Sequence, residues 1–143
     1  MKKKILFLAI AVTAFTLLSC GGSAEKQSTK PESVEVAESA KVMVYYFHGK
    51  QRCKTCLAIQ KVAEQTINEK FAENKDVKFI ELDYSDKANE ALVEKYQVAN
   101  SSLIIVSGDG FTDLTNIAFA NAIRNPNELK EKIVAEVNNY LNQ

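Results

Sequence analysis

Val42-Met43-Val44-Tyr45-Tyr46-Phe47-His48-Gly49-Lys50-Gln51-Arg52-Cys53-Lys54-Thr55-Cys56, with the residues that follow to Phe71, is the stretch that decides the fold. Val42 to Phe47 is a run of β-branched and aromatic side chains, the composition of a buried central strand. His48 to Gln51 breaks it with a loop that contains a glycine. Past Cys56 the pattern turns helical. Ile59, Val62, Ala63, Thr66 and Ile67 fall at the spacing of one helix face. Cys53 and Cys56 therefore sit where a strand gives way to a helix.

That place has chemical consequences. The first turn of a helix carries unpaired N–H groups and the positive end of the macrodipole, so a thiolate there is stabilised. Such sites lower a cysteine pKa below the ~8.5 of a free thiol, and the thiolate is the reactive form. Two intervening residues let the sulfurs meet in a short disulfide, because one helical turn brings i and i+3 to one side. Cys53, at the cap, is expected to be the exposed nucleophile. Cys56, one turn in, is expected to be the shielded resolving thiol. A loop this small gains little chain entropy from closure, which suits a redox pair better than a structural staple.

The beginning of the chain reads as a targeting segment. Lys2-Lys3-Lys4 is a basic start, Ile5 to Leu18 is apolar apart from Thr13 and Thr16, and Leu17-Leu18-Ser19-Cys20 follows. This is the architecture of a secretory signal, with an apolar run too short for a comfortable transmembrane span. The Leu-Leu-Ser-Cys ending resembles the lipobox of bacterial lipoproteins. That implies a signal peptide over residues 1–19 and a lipidated Cys20 as the first residue of the mature protein. Residues 20–40 are rich in Gly, Ser, Lys and Glu and read as a flexible tether; residues 41–143 make one domain. The expected location is extracytoplasmic, on a bacterial membrane. Gly21 rather than Asp after Cys20 resembles outer-membrane sorting.

With Cys20 taken by lipid, the odd count of three cysteines resolves into one pair in a compartment where a disulfide persists. The formal net charge is zero, but 18 basic side chains less the three leader lysines leaves 15 against 18 acidic ones. No basic patch interleaved with aromatics is present, which argues against nucleic acid as a partner.

The remainder supplies a second strand at Val77 to Leu82 and a helix capped by Ser85 or Asp86 that runs to about Tyr96. Ala88, Ala91, Leu92 and Lys95-Tyr96 hold its inward positions. Leu103 to Val106 is a short apolar strand that Gly108-Asp109-Gly110 turns into Phe111 to Leu114, a hairpin. Asn125-Pro126 starts a last helix with Leu129, Ile133, Val137, Tyr140 and Leu141 as its buried stripe. Ile117 to Ile123 fits a helix or a packed loop equally well. The order is β-α-β-α-β-β-α. It implies an α/β domain whose crossover gives parallel strands, with an antiparallel edge and helices on both faces of a mixed sheet.

With CxxC opening its first helix, this order resembles the thioredoxin fold from about Ala40 to Gln143. Two stretches resemble the exported ArsF-type family more closely: Tyr45-Tyr46-Phe47-His48-Gly49…Arg52-Cys53-Lys54-Thr55-Cys56 and Tyr96-Gln97-Val98-Ala99-Asn100-Ser101-Ser102-Leu103. Members of that family are subunits of a nitrophenyl-compound nitroreductase. The resemblance to thioredoxins implies that Cys53 and Cys56 carry the chemistry. Three departures stand out: Arg52 replaces the usual aromatic before the first cysteine, Ser102 falls where a cis-proline faces the disulfide, and Val42 to Phe47 holds no counterpart to the buried carboxylate. Arg52 and Lys54 flank Cys53 with positive charge, which is expected to favour its thiolate and make the pair more oxidising. His48 could relay a proton or contact a partner.

The function expected is a membrane-anchored thiol–disulfide oxidoreductase, with a thiol or disulfide partner protein and no cofactor beyond the Cys53–Cys56 disulfide. No Gly-rich phosphate loop or dinucleotide fingerprint occurs, so any nitroreductase cofactor would belong to another subunit. The alternative is a non-catalytic accessory or metal-binding subunit docked on a reductase. Zinc prefers four ligands, whereas Cys53, Cys56 and His48 supply three.

Overall fold

The computed structural model describes residues 40–143. The expected signal peptide, the lipidated Cys20 and all of the tether except Ala40 lie outside them. Strands β1 (Val42–His48), β2 (Val77–Asp83), β3 (Ser102–Ser107) and β4 (Gly110–Asp113) form one sheet in the order β2-β1-β3-β4. The helices are α1 (Lys54–Lys70), α2 (Glu90–Lys95), α3 (Thr115–Asn121) and α4 (Pro126–Leu141), with a 3₁₀ turn at Lys87–Asn89 before α2. Among these, no helix is long and apolar enough to cross a membrane.

β1 is central and pairs parallel with β2, as the crossover through α1 requires. It pairs antiparallel with β3, which continues antiparallel into β4. The route from β2 to β3 is therefore not a second parallel crossover. β2 ends beside His48, and β3 begins opposite Phe47, at the same end of β1. α2 has six residues and spans about 9 Å, against about 23 Å for a seven-residue strand, so it cannot carry the chain back to the far end.

Side-chain alternation along β1 divides the core. Val42, Val44 and Tyr46 pack with α1, α3 and α4, in a cluster that includes Ile59, Val62, Ala63, Ile67, Leu129, Ile133 and Val137. Tyr45 and Phe47 face the other way, onto Tyr96, Val98, Ile104 and Val106, with Leu92 and Val93 of α2 against them. All five residues of the α1 stripe are buried. Thr66, the polar one, donates its hydroxyl to the Val62 carbonyl at 2.6 Å and so leaves nothing unpaired.

α2 corrects the expected register. Ala88, Ala91 and Lys95 are exposed, while Leu92 and Val93 are half-buried and Tyr96 is buried. Asp86 caps the 3₁₀ turn by accepting from Ala88 N at 3.0 Å, and a turn of three residues rather than 3.6 rotates the face that follows. α2 ends in a Schellman motif: Val98 N–H donates to Val93 O at 2.9 Å and Gln97 N–H to Glu94 O at 3.2 Å. Gln97 thereby adopts φ +53, in the left-handed region, where a side chain is strained. Gln97→Gly is expected to stabilise the domain by about 1 kcal/mol, seen as a higher urea midpoint with an unchanged slope.

Ile117 to Ile123 falls largely within a helix, α3. Ala118 and Ala122 are buried while Phe119 and Ile123 are exposed. Apolar side chains thus point both ways around a short helix, which hides its period.

Candidate functional site

The site lies at the C-terminal end of β1. Cys53 is the N-cap of α1, with extended backbone (φ −76, ψ 165), and its Sγ accepts from the Cys56 N–H at 3.1 Å. The Cys53 carbonyl accepts from Leu57 N at 3.0 Å, so the helix starts at the sulfur. Cys53 and Cys56 are joined by a disulfide with their Cα atoms 5.1 Å apart. Cys53 is exposed, whereas Cys56 is only 7% exposed. No acidic residue occupies the first turn of α1, and Lys54 opens it. A lysine there is slightly unfavourable to the helix but favours a neighbouring anion.

Beneath the pair lies Tyr46, buried in the sheet, whose hydroxyl donates to the Cys56 carbonyl at 2.8 Å. The buried Ser101 hydroxyl approaches the same phenol from the loop before β3. Burial raises the Tyr46 pKa, an effect that the nearby Arg52 guanidinium partly offsets. Tyr46→Phe is expected to destabilise the fold by about 1–2 kcal/mol, since it removes a buried hydrogen bond at the root of α1. Denaturant unfolding of both proteins with the disulfide intact would show it.

Alternation places His48 and Tyr46 on the α1 face of β1, and Glu81 is the parallel partner of Tyr46 on β2. Glu81 gathers the loop that precedes the cysteines. One carboxylate oxygen lies 2.6 Å from Arg52 Nη1 and 3.0 Å from His48 Nε2. The other accepts from the Gln60 side-chain amide of α1. Gln60 in turn accepts from Arg52 Nη2, and the guanidinium lies over the Tyr46 ring, 5.7 Å from its centroid. The His48 Nδ1 faces the Gly49 carbonyl at 3.0 Å. A Cβ on Gly49 would lie 2.5 Å from the Tyr84 hydroxyl oxygen, so any larger residue here requires the Tyr84 side chain to move.

The residues singled out from the sequence are thus distributed as follows. Cys53, Cys56, Arg52 and His48 come together, and Lys54 stands exposed in the first turn. Ser102 is buried at the start of β3, where its hydroxyl donates to the Asn100 carbonyl at 3.0 Å. Arg52 does not present a free charge, because both its terminal nitrogens are engaged. Among the described residues, no group of three or more His, Cys, Asp or Glu side chains forms a potential metal site. Sequence reasoning missed Glu81, Gln60 and Ser101, and it treated Tyr46 as core alone. The parity of β2 held a signal: it puts Glu81 on the same face as Val77 and Phe79, the face that α1 covers.

No protein-family model matches the chain, and no curated protein does. Solved structures do. Human ERp44 in its zinc-bound form superposes with a TM-score of 0.51 at 16% identity, over 73% of this chain and 28% of that one. The fold is thioredoxin-like. Mitochondrial thioredoxin 3 of Saccharomyces cerevisiae, in its oxidised form, is similar at a TM-score of 0.45 and 16% identity, over 71% of this chain and 84% of that one. A malarial protein follows at 0.35 and 22% identity, over 56% and 93%. The chain spans barely more than a quarter of ERp44. Its thioredoxin-like domain carries a CxxC disulfide at the start of α1.

Proposed function

We propose that this chain is a thiol–disulfide oxidoreductase, anchored outside the cytoplasm through a lipid on Cys20. The observation that carries the reading is the asymmetry of the disulfide: one sulfur capping a helix at the surface, the other buried one turn in. A partner thiolate attacks Cys53 Sγ, the Cys53–Cys56 bond breaks, and Cys56 leaves as a thiolate that takes up a proton. A second partner thiolate then attacks the partner's own sulfur in the mixed disulfide. Cys53 departs as a thiolate, stabilised by the amides and dipole of α1. The partner loses two electrons and the CxxC pair gains them; the reverse sequence reduces the pair's partner.

Resemblance of the Tyr45–Cys56 and Tyr96–Leu103 stretches to the ArsF-type family supports a narrower role. In it, the domain is the redox subunit of a nitrophenyl-compound reductase, with the flavin or nicotinamide on another subunit. The test of the broader reading is Cys56→Ser. Without the resolving thiol, Cys53 is expected to accumulate a covalent adduct with its partner that reductant releases. Absence of any such adduct, with Cys53 unreactive to alkylation in the native variant, would overturn it.

A further inference from the structure

We propose that Glu81 is a positioning residue for the redox pair: it holds the Arg52 guanidinium against Tyr46 and so keeps that charge off the Cys53 thiolate. The inference rests on the thiol–disulfide reading above and adds what sets the poise of the pair. An arginine directly before a cysteine has a side chain long enough to fold over the sulfur. In this chain its terminal nitrogens are spent elsewhere, one on Glu81 at 2.6 Å and the other on Gln60. Gln60 is itself tied to Glu81, so strand β2, helix α1 and the loop between β1 and α1 close on one guanidinium. The Arg52 Nε is buried with no hydrogen-bond partner in the structure. The guanidinium is thus held at both terminal nitrogens, by Glu81 and by Gln60. Nothing in the stability of β2 calls for this. Glu81 lies on an edge strand with its side chain 32% exposed, where an ion pair contributes little to folding.

The chemical consequence follows from charge. A cation resting on the Cys53 thiolate would stabilise the reduced form and make the pair more oxidising. Held over Tyr46 and neutralised by Glu81, Arg52 exerts less of that pull. His48, bound to the same carboxylate, is restrained in the same way. Lys54, which follows Cys53 at the start of α1, remains exposed.

The experiment equilibrates the full chain carrying Cys20→Ala with glutathione and its disulfide, with and without Glu81→Gln. Reduction of the protein disulfide by two glutathione thiols yields two protein thiols and one glutathione disulfide. Two electrons pass to the cysteine sulfurs, and one proton goes to solvent where Cys53 stays ionised. In Glu81→Gln the equilibrium constant for reduction is expected to rise about fivefold, the order of one partly screened charge. The pH at which Cys53 becomes reactive to alkylation falls with it. In an Arg52→Gln background the same substitution is expected to change the constant less than twofold. Gln60→Ala, at a half-buried position of α1, shifts both readouts in the same direction by about twofold and serves if Glu81→Gln does not fold. Unchanged readouts in the folded variants, or an equal shift without Arg52, would overturn the role of Glu81. If the unsubstituted pair does not titrate at all, the thiol–disulfide reading itself fails.

Discussion

Cys53→Ser is expected to reduce thiol–disulfide exchange to background while leaving the fold intact. A serine at the cap retains a hydrogen-bond acceptor for the Cys56 N–H, now made by Cys53 Sγ at 3.1 Å, and serine is among the best N-cap residues. Helix α1 therefore keeps its start. The chemistry does not survive, because a serine hydroxyl neither ionises near neutral pH nor forms a disulfide. Cys56 alone, 7% exposed and beneath the helix surface, offers a partner little access. The contrast with Cys56→Ser is the informative one: that variant accumulates a partner adduct, whereas Cys53→Ser accumulates none. Reducing-agent-sensitive adducts on non-reducing gels, with circular dichroism to check folding, would measure both. Adduct in Cys53→Ser at the level of Cys56→Ser would reverse the assigned roles.

Ile133→Ala is expected to destabilise the domain by about 3–4 kcal/mol. Ile133 is fully buried in the cluster that α4 forms with α1 and the central strand, in the middle of the Leu129, Ile133, Val137 stripe. Truncation leaves a cavity between packed elements that cannot close without moving a helix. Domains of this size hold about 5–15 kcal/mol in total, so the loss is a large part of the reserve. The thermal midpoint should fall by roughly 15 °C. Cys53 stands at the tip of α1, away from that stripe, so the variant's redox equilibrium with glutathione is expected to match the parent wherever it is folded. Loss of stability with unchanged poise would separate scaffold from chemistry.

Much of this molecule could be read from its residues. The strand of β-branched and aromatic side chains, the CxxC turn and the stripe from Ile59 to Ile67 specify β1, the cap and α1, since each signal is local and strong. The last helix was equally plain from Pro126 and its apolar period. Gly108 in the left-handed region, at φ +56, explains why Gly108-Asp109 reverses the chain between β3 and β4. What could not be read was set by geometry between elements. The antiparallel sense of β3 depends on how short α2 is, and the face of α2 on a 3₁₀ turn that composition does not announce. The Glu81–Arg52–Gln60 clamp joins residues 21 and 29 positions apart through sheet register and helix placement. Arg52 in the sequence is a charge beside a cysteine; in the fold it is a charge already answered.

The most direct measurement is a redox titration of the full chain carrying Cys20→Ala, with free thiols tagged by mass at each glutathione ratio. The expected result is one reversible two-electron transition. In it both cysteines gain tags together under native conditions, and Cys53 is the faster of the two to react. Thiols that take no tag until the protein is unfolded, or cysteines that tag independently with no shared transition, would contradict a redox-active pair at the start of α1.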